Sequence, residues 1–222
     1  MLRIQALFLS TLAVLLATVP VRADERFYYL KPNQIDLTAL LPPPPDVASA
    51  LARADEAQVA AAVAGRNRTQ LFDAQETSAR TVFFFEPSIG AGFTAERLPA
   101  TARFFSHVGS DVKQLIDDAK MYWDRPRPDG MQKRRGSYPS GHAAFAAASS
   151  ILLAQLLPNK RDAVFTQART FAENRILLGR HYPSDVASGW TAGTLAAFVM
   201  MRDRAFERDF AAVKSELHRA NL

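Results

Sequence analysis

Pro139-Ser140-Gly141-His142-Ala-Ala-Phe-Ala-Ala-Ala-Ser-Ser-Ile-Leu-Leu-Ala-Gln-Leu-Leu157-Pro158 is the stretch whose reading decides the fold. Ser140 is a good helix N-cap, because its hydroxyl can accept from an amide in the first turn. Pro158 cannot continue the helix and marks its end. Between them nearly every side chain is apolar, with no polar stripe for water. The run from 143 to 157 is shorter than the ~20 residues that a membrane-spanning helix needs. A short helix that is apolar on all sides belongs at the centre of a packed protein. Residues 186–201 form a second such run, with Ser184 as a possible cap. Two central helices require others around them, and this predicts an all-α, single-domain helical bundle.

The surrounding helices follow from caps and periodicity. Asp46 can cap an alanine-rich helix to about Ala64, with Gly65 as its stop. Apolar residues recur at helical spacing over 98–108 and again over 112–123, where Ser110 can cap. Asn159 can cap a helix through Leu178 that stops at Gly179, and the charged tail 203–222 is helical in pattern and suited to the surface. Thr81–Phe85 is the nearest approach to a strand, and it is short. Residues 24–45 end in Pro42-Pro43-Pro44-Pro45 and read as an extended proline-rich arm. Residues 1–23 combine Arg3, an apolar run from Ala6 to Val19 and small or apolar residues at Val21 and Ala23. This is the pattern of a signal peptide cut after Ala23. The division is therefore 1–23 leader, 24–45 arm and 46–222 helical domain, and the expected location is the periplasm, without stable membrane insertion once the leader is removed.

Composition narrows the chemistry. The chain has 222 residues, 27 Lys and Arg against 22 Asp and Glu, and no cysteine. Disulfides, thiol catalysis, iron–sulfur clusters and cysteine-held zinc are excluded. No Lys- or Arg-rich run of the kind that tracks nucleic acid is present, so no nucleic-acid partner is expected. The formal charge is +5, and loss of Arg3 and Arg22 with the leader leaves +3. A mildly basic domain suits anionic small molecules.

Three segments concentrate reactive residues: Lys120-Met-Tyr-Trp-Asp-Arg-Pro-Arg127-Pro128, Gly136-Ser-Tyr-Pro-Ser140-Gly141-His142, and Asn174-Arg175-Ile-Leu-Leu-Gly-Arg-His181-Tyr-Pro-Ser-Asp185. Lys120 and Arg127 stand seven apart, two turns of a helix, and Arg125 competes with Arg127 for the same role. The helix start near Ser140 offers free amides and a dipole that favour an anion, and Gly141 permits close approach. Arg175, in a last helical turn, can present a bidentate fork to phosphate oxygens. His181 precedes Asp185 by four, so the carboxylate can accept from one ring nitrogen and leave the other free to attack. His142, in a first helical turn, can protonate a leaving alcohol. His107 and His218 lack such surroundings. Singly each feature has an ordinary explanation as a cap, a core residue or a surface charge. Together they describe a phosphate cradle with a nucleophile and an acid.

The three segments resemble the tripartite signature of the phosphatidic acid phosphatase type 2 and vanadium haloperoxidase superfamily: Lys-x6-Arg-Pro, Pro-Ser-Gly-His, and Ser-Arg-x5-His-x3-Asp. The stretch Gly136–His142 and the arm from Tyr29 to Pro45 are similar to those of bacterial class A nonspecific acid phosphatases. The resemblance implies a helical bundle with no metal and no cofactor. It implies that Lys120, Arg127, Ser140, Gly141 and Arg175 bind phosphate. His181 would be the nucleophile that forms a phosphohistidine, His142 the acid and Asp185 the orienter of His181. It favours Arg127 over Arg125, small-molecule phosphate esters as substrates, and homo-oligomers, which class A relatives often form. Three departures bear on substrate range: Asn174 for the usual serine, Ala143 for the usual threonine, and a loop of only ten residues between Pro128 and Pro139.

Competing expectations are a vanadate-dependent haloperoxidase, which the chain length opposes, and a lipid phosphate phosphatase at the membrane surface, whose relatives usually carry several spanning helices. A phosphate-binding protein without turnover is a further alternative, opposed by the presence of both histidines and Asp185.

Overall fold

The computed structural model describes residues 27–130 and 136–222, and the leader assigned to 1–23 lies outside them. The described residues contain α1 (Leu37–Leu40), α2 (Ala50–Gly65), α3 (Arg68–Glu76), a 3-10 turn (Val82–Phe85), α4 (Glu86–Ile89), α5 (Pro99–Trp123), α6 (Gly141–Leu156), α7 (Arg161–Leu177), α8 (Pro183–Met200) and α9 (Arg204–Arg219), with no strand among them. The all-α expectation holds. The Thr81–Phe85 segment is a 3-10 turn led by Thr81, whose hydroxyl accepts from the Phe83 amide.

Helix α6 is the central element, with α5, α7 and α8 packed around it. Its closest neighbour is α8, and the reason lies in two glycines. A Cβ on Gly189 would stand 2.3 Å from the Ser140 carbonyl oxygen, and one on Gly193 only 2.0 Å from the Ala144 carbonyl oxygen. Ala143, Ala144, Ala192 and Ala196, all fully buried, continue the small-residue contact. Backbone thus approaches backbone, which fixes the starts of both helices relative to each other.

Local sequence signals are modified by packing in several places. The two apolar stretches around Ser110 form the single helix α5. Gly109 sits in its interior, where a Cβ would press to 3.2 Å from the Phe145 ring on α6. A weak internal cap at Ser110 does not outweigh burial of Phe104, Phe105, Val108, Val112 and Ile116 on one continuous face. Helix α2 is capped by Ser49 through the Ala52 amide, and Asp46 accepts from Ala48 in the preceding turn. Helix α8 begins at Pro183 rather than after Ser184, because proline suits the first helical position. The tail is docked: Phe206, Val213 and Leu217 of α9 are buried. Its Glu216 accepts from the Ala100 and Thr101 amides (both 2.8 Å) and the Thr101 hydroxyl (2.7 Å). It thereby caps α5, which has no capping side chain of its own, a contact of about 1 kcal/mol.

The arm, described from residue 27, turns at Lys31–Gln34, where Asn33 is left-handed (φ 60°), and makes the single turn α1 before its prolines. One α5 carboxylate holds its start: Asp111 accepts from the successive amides of Tyr28 (2.7 Å), Tyr29 (2.7 Å) and Leu30 (2.8 Å). Tyr28 stacks on His107 at 3.8 Å. Further along, the Tyr138 hydroxyl donates to the Pro42 carbonyl at 2.5 Å. No helix among the described residues is long and apolar enough to cross a membrane.

Candidate active site

The three segments converge on a cleft of about 600 Å³, whose walls include Arg80, Lys120, Arg127, Gly141, His142, Arg175, Arg180 and His181. Lys120 and Arg127 arrive by a different route from the one their spacing suggests. Helix α5 ends at Trp123 and Asp124 is left-handed (φ 39°), so the two do not share a helix face. They meet instead on the loop before α6. Lys120 Nζ donates to the Gly136 and Ser137 carbonyls (2.7 and 2.9 Å), and Arg127 donates to the Gly136 carbonyl (3.2 Å) and to that of Arg180 (2.9 Å). Arg127 Nε is buried and has no hydrogen-bond partner among the described residues. An unpaired buried donor is costly.

Gly141 and His142 open α6, where the first amides have no partner within the helix. Ser140 caps this helix through the Ala143 amide (3.4 Å) and is fully buried, beneath the cleft wall rather than on it. Arg175 lies in the last turn of α7, nearly buried, with one nitrogen 3.5 Å from the Thr77 carbonyl. Burial pushes its guanidinium down to about 10, so it keeps its charge at any working pH.

His181 is buried at the α7–α8 turn. Its Nδ1 lies 3.3 Å from Asp185 Oδ2, and its Nε2 lies 3.4 Å from an Arg127 nitrogen. A carboxylate only accepts, so Nδ1 carries the hydrogen and Nε2 bears the lone pair, on the side of the ring that faces Arg127. Burial first, then the charges of Lys120 and Arg127, push the imidazole down to about 4 against the pull of Asp185. His181 is therefore neutral above that range. Burial raises Asp185, but its hydrogen bond with His181, the charges of His181 and Arg125 and the Tyr182 amide outweigh this and hold it below the usual carboxylate range.

His142 stands on the opposite wall, half-buried. Its Nε2 lies 3.0 Å from the Ser78 carbonyl, which only accepts, so Nε2 carries a hydrogen and Nδ1 is the nitrogen that exchanges protons. Burial, then Arg175, push it well below its ordinary value. A bound phosphate dianion acts in the opposite direction.

Sequence reasoning missed two features. The 77–80 segment reaches the site from outside the three motifs: Ser78 holds His142, Thr77 meets Asn174 (3.1 Å) and Arg175, and Arg80 joins the wall beside Gly141. Arg125 turns away from the cleft and donates to Asp185 Oδ1 (2.7 Å) and to Asp55 of α2 (2.9 Å). The sequence offered Arg125 only as a competitor for the role of Arg127, and nothing in it linked Asp55 to either arginine.

Residues 100–209 match the PAP2 superfamily model. The chain is 28% identical over 209 residues to a protein named non-specific acid phosphatase from Providencia stuartii, covering 85% of this chain and 84% of that one. It is also 28% identical to an acid phosphatase of Zymomonas mobilis subsp. mobilis, over 59% of this chain and 54% of that one. In fold it resembles the transmembrane PAP2-type phosphatidylglycerolphosphate phosphatase of Bacillus subtilis. The TM-score is 0.51 and the identity 20%, over 74% of this chain and 89% of that one. With the cleft, the three motifs and these likenesses together, residues 100–209 carry a PAP2 superfamily domain, in a chain similar to non-specific acid phosphatases.

Proposed function

We propose that this chain is an exported acid phosphatase that hydrolyses phosphate monoesters through a phosphohistidine on His181. The observation that carries the reading is the pairing of a buried, neutral His181, its Nε2 on the side that faces Arg127, with a ring of cations around the same space. Lys120, Arg127, Arg175 and the Gly141 amide hold the phosphoryl oxygens and stabilise their charge as it redistributes. His181 Nε2 attacks phosphorus, the P–N bond forms and the P–O bond to the ester oxygen breaks. His142 gives its Nδ1 proton to the departing alkoxide. Water then attacks the phosphohistidine, His142 takes a proton from it, and inorganic phosphate leaves with His181 restored. Export and a periplasmic location rest on the leader pattern of residues 1–23.

The pH dependence follows from the two shifts. His181 loses nucleophilicity as pH falls through its depressed range. His142 loses its donated proton as pH rises through its own, so kcat/KM peaks on the acid side of neutrality. The deciding experiment is phosphate release from an aryl phosphate across pH, in chelator, followed by acid-quench detection of a phosphohistidine. Release at acid pH with label on His181 supports the reading. Absence of turnover by the wild-type protein defeats it.

A further inference from the structure

We propose that Asp55 and Arg125 are positioning residues for the reaction. Their ion pair, anchored on α2, holds Asp185 in register with His181 and sets how much negative charge that carboxylate presents to it. The inference rests on the reading of His181 as nucleophile and extends it to a helix outside residues 100–209.

The geometry is a closed chain of buried contacts. Arg125 Nη1 donates to Asp185 Oδ1 (2.7 Å) and to the Ser184 hydroxyl (2.7 Å), while Nη2 donates to Asp55 Oδ2 (2.9 Å). The Ser184 amide donates to Asp55 Oδ1 (3.1 Å), and the Ser184 hydroxyl also donates to Asp55. The guanidinium lies over the Tyr182 ring at 4.0 Å. Asp55 and Asp185 are 2% and 0% exposed, so water does little to screen the array. The Asp185 Oδ2 that faces His181 also accepts from the Tyr182 amide (2.9 Å). Both oxygens of Asp185 are thus committed, one toward His181 and one toward Arg125. The fork that reaches two carboxylates at once is a task for arginine and not for lysine.

One guanidinium shared by two carboxylates has a directional consequence. Asp55 draws part of the Arg125 charge away from Asp185, and Arg125 draws part of the Asp185 charge away from His181. Among the described residues, the other charged or titratable groups facing the His181–Asp185 pair are Lys120 from α5, Arg127 and Tyr138 from the loop between α5 and α6, His142 in the first turn of α6, and Tyr182 just before α8. None of these is altered by the test. Asp55→Asn leaves Arg125 to Asp185 alone, so Asp185 holds the His181 proton less tightly and the acid limb of the rate profile moves to lower pH. Arg125→Gln frees Asp185, and the acid limb moves to higher pH. Each shift is expected to be about half a pH unit or more. Misplacing a supporting group by about 1 Å costs on the order of 10²-fold, so kcat should fall about 10–100-fold. KM should stay within about threefold, since neither residue touches phosphate.

The experiment is the pH profile of kcat and KM for an aryl phosphate with the full-length protein and the variants Asp55→Asn, Arg125→Gln and Arg125→Lys. Helical spectra and the competitive Ki of inorganic phosphate serve as readouts of an intact cradle. Opposite displacements of the acid limb in Asp55→Asn and Arg125→Gln, with Arg125→Lys losing kcat but keeping the limb in place, support the proposal. A folded set with an unmoved limb overturns it, whether kcat is unchanged or falls equally at every pH. If Arg125→Gln fails to fold, the downward shift in Asp55→Asn decides alone. An inactive wild-type protein defeats the nucleophile reading instead, so the two failures are told apart.

Discussion

His181 and His142 face the same cleft, but the protein holds them by different means. His181 is enclosed where two helices meet. A carboxylate on α8 fixes its ring, and a second buried carboxylate and an arginine brace that one. His142, in the first turn of α6, lies against the Phe171 ring (5.7 Å) and hydrogen-bonds to the backbone carbonyl of Ser78, on a segment that belongs to no helix. The nucleophile needs one lone pair at one place, which rigid elements supply. On the proposed reading, the acid serves alcohols of differing shape, and a wall built partly by a loop suits that task. On that reading, the phosphoryl side of the cleft is braced by helices and buried ion pairs, and the leaving-group side by a loop.

The contrast can be tested from its strongest point to its weakest. His181→Ala should reduce kcat for every phosphate ester by at least about 10³-fold with an unchanged helical spectrum; near-normal turnover would break the comparison at once. His142→Ala should cost about 10²–10⁴-fold with an alkyl phosphate but only about tenfold with a p-nitrophenyl ester, whose phenolate departs without help. Equal losses on both esters would place His142 on the phosphoryl side. Gly193→Ala forces a Cβ into the Ala144 carbonyl and should cost about 2–3 kcal/mol. Thermal unfolding should then begin roughly 5–10 °C lower, and both histidines should suffer together because α6 carries His142 and α8 carries Asp185, the partner of His181. Ser78→Ala should change kcat/KM less than about twofold, because the contact to His142 is made by a backbone carbonyl that every residue possesses.

Much of this arrangement was legible in the sequence. The apolar run after Ser140 and its partner after Ser184 specify a helical core, since only other helices can cover helices with no polar face. His181 and Asp185 were readable because a spacing of four is local geometry. Lys120 and Arg127 were paired for the wrong reason. Their spacing looks helical, but Asp124 ends the helix and a loop carbonyl brings the two cations together. Ser140 was readable as a cap, and its burial follows from that capping. Asp55 was not readable at all. It lies 70 residues from Arg125, on a helix whose own pattern is that of an alanine-rich surface element. Long-range pairs of this kind leave no local periodicity, and only packing reveals them. The 77–80 segment was silent for the same reason, since its decisive contact uses no side chain.

The three amides gathered by Asp111 carry a practical lesson for handling the protein. A fusion partner or affinity handle joined ahead of Phe27 leaves this anchor in place. Trimming the chain back to α1 would do more than discard a tail. It would strip a fully buried carboxylate of its donors and uncover the aromatic surface that Tyr29 shields, so a shortened protein should precipitate where the longer one stays dispersed.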